Sequence, residues 1–343
     1  MRRTAESRAI VHVQSALRRA LIGRRGAAIA AVSGGLDSLV MLHALREIRH
    51  RLTLDLVVAT FDHGLRGADS AADAAWVEAV AGEWGFACAR GATPPGEPLL
   101  TVGVGVEAAA RRARYAFLAE TAHARGAEWV LLAHHADDQA ETVLAHLVRG
   151  AGLHGLGAMR PDSPLPGAQD VRALRPLLGV LRTEIAVYAR AHDLHPRHDA
   201  TNDDTAYTRN HLRHVVLPAL AQINPLVVPS LARFAHHAAR DAAYLDSLLD
   251  AAIAEGDLLW FDGRSAALGR ERMRALPDAL AIRAVLRAAA HIAPPAADLL
   301  PITAERAEAV LSAVRAAQPG TLVEIGHGGV VHIRHTVAWL QPG

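Results

Sequence analysis

The sequence is poor in several residue types, and each shortage removes a class of chemistry. It carries one cysteine, Cys88, which excludes an intrachain disulfide, an all-protein cysteine cluster for zinc or iron and sulfur, and a paired-cysteine sulfur relay. It carries no lysine at all, since all 36 Lys+Arg residues are arginine. A Schiff-base lysine, a lysine general base and a Walker-A lysine are therefore ruled out, and any phosphate must be met by arginine, by backbone N–H groups or by metal. No uncharged apolar run reaches the roughly 18 to 20 residues needed to cross a bilayer, and no basic stretch followed by an apolar one opens the chain. The expected location is the cytoplasm. The formal charge of +1 does not exclude nucleic acid, because a binding face needs only local basicity.

What is present is an ordinary globular composition. With 343 residues, 51% of them hydrophobic, the chain can bury a sizeable core and is expected to divide into about two domains. Strand and helix signals alternate at the front. "RGAAIAAV" reads as a buried strand, "SLVMLHALREI" as a helix, "LDLVVATF" as a second strand and "SAADAAWVEAVAGEWG" as a helix. A short strand near Phe86, a helix over about 106–125, a strand at "EWVLLA" and a helix over about 138–148 follow. Such alternation implies a parallel sheet. "RPDSPLPGAQD" reads as a surface loop before one more strand near "VRALRPLL". Beyond about Pro218 the texture becomes Ala/Leu/Arg-rich and helical, and 321–340 reads as a terminal β-hairpin around a Gly-rich turn. The expectation is a Rossmann-like α/β domain over residues 1–215, followed by a smaller, mainly helical domain over 216–343 that ends in the hairpin.

The most informative stretch is "AVSGGLDSLVMLHAL". It places Ser33, Gly34, Gly35, Leu36, Asp37 and Ser38 between a strand and a helix. In parallel sheets ligands bind beyond the carboxyl ends of strands, where free N–H groups at a helix start favour an anion. The glycines admit close backbone approach, and the serines can donate to phosphate oxygens. Asp37 would repel bare phosphate unless a divalent cation lay between them, so the composition suggests Mg²⁺-pyrophosphate, with Asp37 as the metal ligand. A helix-capping turn without a ligand is the simpler alternative.

SGGxDS after a strand resembles the signature of the PP-loop, or N-type ATP pyrophosphatase, superfamily. Four more stretches narrow the likeness: "FDHGLR" (61–66), "EAAARRARY" (107–115), "AHHADDQAET" (133–142) and "DATNDDTAYTRNHLRHVVLPAL" (199–220). Together with "RGAG" and "RPLL", and over residues 27 to 225, they resemble the tRNA(Ile)-lysidine synthases in order and spacing. Each stretch also has a plainer role open to it. Asp62 and His63 can form a turn; Glu107, Arg111 and Arg114 share a helix face; Asp138 and Glu141 have capping-box spacing; Arg209 and Arg213 can simply solvate a helix. Asp137 has no such alternative. His134 and His135 lack downstream partners at zinc spacing.

The resemblance implies a reaction. The C2 oxygen of the wobble cytidine in a CAU anticodon attacks the α-phosphate of ATP, pyrophosphate leaves on the loop with Mg²⁺, and the ε-amine of free L-lysine then displaces AMP. By resemblance, Asp37, Asp137, Arg111 and Arg114 are catalytic, and Ser33 to Ser38 hold the nucleotide. Asp62, His63, Arg66, His134, Asp137, Glu141, Arg209, Asn210 and Arg213 then bind the substrates, tRNA(Ile) and lysine. Asp62, Asp137 and Glu141 are all candidates to hold and deprotonate the amine, and the sequence does not say which carboxylate serves Mg²⁺ and which the lysine. No membrane and no obligatory protein partner is expected. A tRNA thiolase would need paired cysteines, an amidotransferase a glutaminase cysteine or subunit, and a nucleotide sensor would release neither AMP nor pyrophosphate.

Overall fold

Apolar runs buried on both faces make the central strands, because a parallel sheet covered by helices leaves no face for water. In β1 (Arg25–Ala31), Ala28, Ile29 and Ala30 are fully buried. The computed structural model describes residues 2–64, 68–93, 105–197, 208–292, 302–326 and 329–342. In chain order, α1 (Arg2–Leu21) precedes β1, and α2 (Leu36–Ile48), β2 (Thr53–Asp62), α3 (Ala68–Glu83), β3 (Ala87–Ala92), α4 (Val106–Arg125), β4 (Ala127–Leu131) and α5 (Ala136–Val148) follow. Next come α6 (Leu153–Leu156), β5 (Asp162–Leu165), β6 (Ala168–Leu174), α7 (Arg182–Ala191) and α8 (Thr208–His211). A π-helical segment, Leu212–Val216, joins α8 to α9 (Leu217–Ile223), and α10 (Val227–Ala254) comes after it.

The sheet order is β3-β2-β1-β4-β6-β5, parallel except for the β5–β6 pair. Chain order reverses between β1 and β4, so a crevice opens at their carboxyl ends. Residues of α1, α2, α3 and α7 pack against one face, and Tyr115, Leu118, Ala119 and Ala122 of α4 pack in a separate cluster with Ile29, Val57 and Val130. Two features depart from the sequence expectation. The helix α1 was not anticipated, and the stretch read as a surface loop contains β5, an edge strand antiparallel to β6. Pro164 sits on that edge, where no ladder N–H is required of it.

The chain forms two compact units, one of 1–145 with 158–235 and one of 146–157 with 236–343. The stretch 216–235 groups with the first unit, beyond the division expected at 215/216, because Leu217, Leu220, Val227, Val228 and Leu231 pack with Ala140, Leu144 and Leu212. In the second unit the hairpin expected around the Gly-rich stretch exists as β9 (Leu322–Gly326) with β10 (Gly329–Ile333), paired antiparallel, and β11 (Val337–Gln341) extends it on the other side of β10 within a larger antiparallel sheet. Its order is β7-β8-β11-β10-β9, with β7 (Leu259–Asp262) and β8 (Ser265–Gly269). The β7–β8 turn is legible in hindsight: Asp262 pairs with Ser265, leaving the two-residue loop Gly263-Arg264 with Gly263 at φ +55. The helices α11 (Arg270–Ala275), α12 (Asp278–Ile292) and α13 (Ala304–Ala316) complete the unit, and α12 and α13 share its core with the sheet. Buried Arg270 donates to the carbonyls of Val314, Ala317 and Arg334 at 2.7, 2.7 and 2.8 Å, satisfying the otherwise orphaned end of α13. Among the described residues no single helix is long and apolar enough to cross a membrane.

Candidate active site

The loop after β1 is shaped by its own small residues. Gly34 takes φ +85, and a Cβ there would lie 3.2 Å from Val77 Cγ2, so both backbone conformation and space demand glycine. Ser38 Oγ donates to the Gly35 carbonyl at 3.0 Å and accepts the Ser33 N–H at 3.2 Å, while Ser33 Oγ lies 3.3 Å from it. From outside, the Arg197 N–H donates to the Gly34 carbonyl at 3.0 Å, and its guanidinium is anchored on Asp73 at 2.7 Å. Gly35 caps α2 without a side-chain bond, and Leu36 packs on the core. The first N–H groups of α2 therefore point out of a braced loop with no helical partner, as an anion site requires.

Asp37 lies in the first turn of α2. Its Oδ2 is 3.6 Å from His135 Nε2, and its Oδ1 is buried with no hydrogen-bond partner. His135, 1% exposed, caps α5: its carbonyl accepts the Gln139 N–H at 3.1 Å and its own N–H reaches Asp138 Oδ2 at 2.9 Å. The ring lies 3.5 Å from Asp138 and 3.7 Å from Asp137 as well. Burial alone would lower its pKa, but hydrogen bonding to Asp137 and Asp37 and the charges of Asp138 and Asp37 raise it to about 10. The Asp137 N–H also approaches Nδ1 at 3.2 Å, a contact that suits only the neutral ring. Three carboxylates around one imidazole outweigh one amide, and we assign the cation.

Two readings of the α5 stretch change here. The capping box does not run from Asp138 to Glu141; it runs from His135 to Asp138, one half of a box in which the third helical residue reaches back. Asp137, expected to have no structural task, has one: its Oδ2 accepts the Arg182 N–H at 2.9 Å at the start of α7. Burial would raise Asp137, yet the His135 ring and the Arg182 amide hold it below the usual carboxylate range.

Glu141 is 1% exposed and saturated by arginine. Arg209 Nε reaches its Oε2 at 2.8 Å, and Arg213 reaches Oε1 through Nε at 2.6 Å and Oε2 through Nη2 at 3.2 Å. The same arginines donate to Asp138 Oδ1 at 2.8 and 3.2 Å. Arg209 stands on α8 and Arg213 on the π-helical segment, so a helix irregularity aims both at one acidic pair; Asn210 between them is half-buried. A lysine amine at Glu141 would have to displace a guanidinium.

The other half of the site is cationic. Arg111 and Arg114 lie over the Tyr115 ring at 5.0 and 5.5 Å. Burial lowers the Arg114 pKa most, and Arg111 adds to the effect. His134, after β4, faces Arg175, Arg209, Arg114 and Arg111; burial and then these charges push it far below its ordinary value, so it is neutral. His63 is likewise lowered to about 4 by burial and Arg114 against the opposing pull of Asp62. Asp62 Oδ1 accepts the Gly64 N–H at 2.8 Å, the turn that the plainer alternative expected. Arg66 lies outside the described residues. No group of three or more His, Cys, Asp or Glu residues that could hold a metal occurs among the described residues.

The sequence offers His135 only as a zinc candidate and Asp138 only as a capping residue, and it holds Tyr115 and Arg175 within the stretches "EAAARRARY" and "RPLL" without a role of their own. For Arg175 the available signal was position, at the carboxyl end of β6 in line with the ends of β1, β2 and β4.

The chain matches the PP-loop domain family over residues 8–220. It is 43% identical over 229 residues to the tRNA(Ile)-lysidine synthase of Geobacter sulfurreducens, a match covering 66% of this chain and 46% of that protein. With the tRNA(Ile)-lysidine synthase of Novosphingobium aromaticivorans it shares 40% identity over 264 residues, 76% of this chain and 75% of that one. The chain thus spans about half the length of the first relative and three quarters of the second. Among solved structures, the U34-tRNA thiolase NcsA from Methanococcus maripaludis with its 4Fe-4S cluster superposes with a TM-score of 0.56 at 20% identity, over 68% of this chain and 80% of that one. That likeness concerns the fold alone.

Proposed function

The chain belongs to the PP-loop family and, within it, to the tRNA(Ile)-lysidine synthases, and from that premise we propose that it joins free L-lysine to C2 of the wobble cytidine in a CAU-anticodon tRNA(Ile), using ATP, in the cytoplasm. The observation that carries this reading is the pairing, across the β1/β4 crevice, of a braced phosphate loop with a carboxylate cluster, linked by the 3.6 Å contact of Asp37 with His135. One half suits a nucleotide and the other a cationic amine.

In the first half-reaction the cytidine O2 attacks the α-phosphorus and the bond to the β-phosphate oxygen breaks. Ser33, Ser38 and the N–H groups of Gly35 to Asp37 cradle the departing pyrophosphate, and Arg111 and Arg114 neutralise charge on the reacting phosphates. Such displacement needs position and charge more than a covalent nucleophile, which suits a chain without reactive lysine or paired cysteines. Mg²⁺ fits the residues present, because Asp37 Oδ1 is an anionic oxygen with no partner beside the loop. Asp37 would hold it, and when bound it supplies charge neutralisation for the pyrophosphate.

In the second half-reaction the lysine amine attacks C2, AMP leaves with the former O2, and the ammonium proton must be taken up. With Glu141 saturated and Asp62 Oδ1 engaged in its turn, Asp137 is the best amine partner: ionised, with a side chain 26% exposed and bonded through one oxygen only. Asp138 and Glu141 then hold Arg209 and Arg213 in place. The unit of 1–145 with 158–235 serves as the adenylating part and that of 146–157 with 236–343 as the tRNA-binding part, with no other protein required. The test is incorporation of labelled lysine into unmodified CAU-anticodon tRNA. ATP-dependent incorporation is the expected result. Release of AMP and pyrophosphate without incorporation would mean another PP-loop chemistry, and no release with any tRNA would mean a nucleotide sensor.

A further inference from the structure

We infer that Arg175, together with the Tyr115 hydroxyl, completes a phosphate-binding site with Arg111 and Arg114 at the carboxyl end of β6. This deepens the reading above and rests on it for the source of the phosphate. Arg175 is 7% exposed. Its Nη1 donates to the Arg160 carbonyl and to Ser163 Oγ, both at 2.9 Å, but its Nε is buried without a partner. Tyr115 is 3% exposed; Arg111 and Arg114 stack on its ring, and its hydroxyl lies close enough to Arg114 and Arg175 to interact with both guanidinium groups, yet makes no hydrogen bond of full geometry. Arg114 Nε and His134 Nδ1 are buried and unpartnered too. Four buried polar atoms without partners, on side chains that face one another, call for a common ligand rich in acceptors.

Charge narrows the choice. Among the described residues neither Arg114 nor Arg175 has a carboxylate within ion-pair distance, whereas Arg209 and Arg213 nearby each have two. A buried guanidinium with no carboxylate in direct contact is unfavourable, and here two lie against the same tyrosine, with Asp162 acting on Arg175 only from beyond ion-pair distance. A phosphate group supplies the missing charge and accepts from guanidinium and hydroxyl donors at once, the planar fork of arginine matching its oxygens. The neutral His134 adds a ring nitrogen able to donate without adding charge. The phosphate comes from the nucleotide or from the RNA backbone, and the two sources separate by experiment.

The full chain is compared with Arg175→Met, Arg175→Lys and Tyr115→Phe. The readouts are the ligand-free thermal midpoint and the Kd for inorganic pyrophosphate with Mg²⁺, for ATP with Mg²⁺ and for a CAU anticodon stem-loop RNA. Arg175→Met is expected to keep or raise the ligand-free midpoint, since it removes an uncompensated charge, and to weaken at least one ligand by about tenfold or more. Arg175→Lys should recover part of that loss. Weakened pyrophosphate and ATP assign the site to the nucleotide, and weakened RNA alone assigns it to the tRNA backbone. A lowered midpoint with every affinity within about twofold would make Arg175 a brace for the 160–163 turn and overturn the proposal. Should Arg175→Met not fold, Tyr115→Phe decides, because it deletes one oxygen: weaker binding supports the site and unchanged binding overturns it. If wild type transfers no lysine but Arg175→Met or Tyr115→Phe still weakens pyrophosphate binding, the lysidine reading fails while the phosphate site stands.

Discussion

Replacing Glu141 by glutamine separates a structural carboxylate from an amine-binding one. Glu141 is 1% exposed and accepts three arginine hydrogen bonds, at 2.6, 2.8 and 3.2 Å. Each charge-assisted bond contributes about 1.5 to 3 kcal/mol, and breaking a fully buried ion pair costs about 3 to 5 kcal/mol. The full figure does not apply, since the Arg209 and Arg213 side chains are 38% and 20% exposed and both keep Asp138. The amide keeps an acceptor but turns an NH₂ group toward one guanidinium. The expected loss is therefore about 2 to 3 kcal/mol, which for a unit of this size lowers its midpoint by about 5 to 10 °C. The assay is denaturant unfolding of wild type, Glu141→Gln, Arg213→Met and the double variant, with the unit's transition followed separately if the two units unfold apart. A coupling of about 1.5 kcal/mol or more is expected from the cycle. A loss below about 0.5 kcal/mol with no coupling, alongside slowed lysine transfer, would refute the argument and return Glu141 to the amine.

The same geometry carries further expectations. Asp37→Ala should abolish pyrophosphate release in the presence of tRNA and Mg²⁺ while weak ATP binding survives; near wild-type release would remove Asp37 from its metal role. Asp137→Asn keeps shape but loses charge, so in single turnover with labelled ATP and late lysine the adenylated tRNA should accumulate and transfer should slow roughly ten- to a hundredfold; an equal loss of adenylation would place Asp137 with Asp37 instead. The Kd for tRNA should rise steeply with salt through released counterions while that for ATP changes little, and a salt-independent tRNA Kd would count against a phosphate-dominated interface. His43, bonded to Tyr188 at 3.1 Å, is lowered from 6.5 to about 4, chiefly by burial and then by His192. The unfolded chain gains that proton below about pH 6.5 and the folded one does not, so stability is full above pH 6.5 and falls by up to about 3 kcal/mol on the way to pH 4. His43→Gln should lose that part of the slope, and parallel curves from pH 7 to 4 would show that His43 is not the group responsible.

The sequence by itself determined whatever depends on neighbours along the chain. Buried apolar runs and helical periodicity specify the strands and helices around the β1–α2 loop, and Gly34, Ser33 and Ser38 specify the loop, because the bonds of its serines span at most five residues; the Arg197 brace on Gly34 is the distant exception. Local pattern failed where partners were distant. β8 joins its sheet by pairing with β11, some seventy residues on, whereas β5 and β6 form a local hairpin that the Pro and Gly residues of 160–170 make look like a loop. The site divides in the same way. The phosphate loop and Asp37 were readable, but the occupancy of each carboxylate was not, since Glu141 meets Arg209 and Arg213 across 68 and 72 residues and Asp137 meets Arg182 across 45. A carboxylate's spacing says which helix face it shares. Only the folded chain, by bringing particular donors within 3 Å and removing water, decides whether that carboxylate is filled by arginine or left open for a substrate.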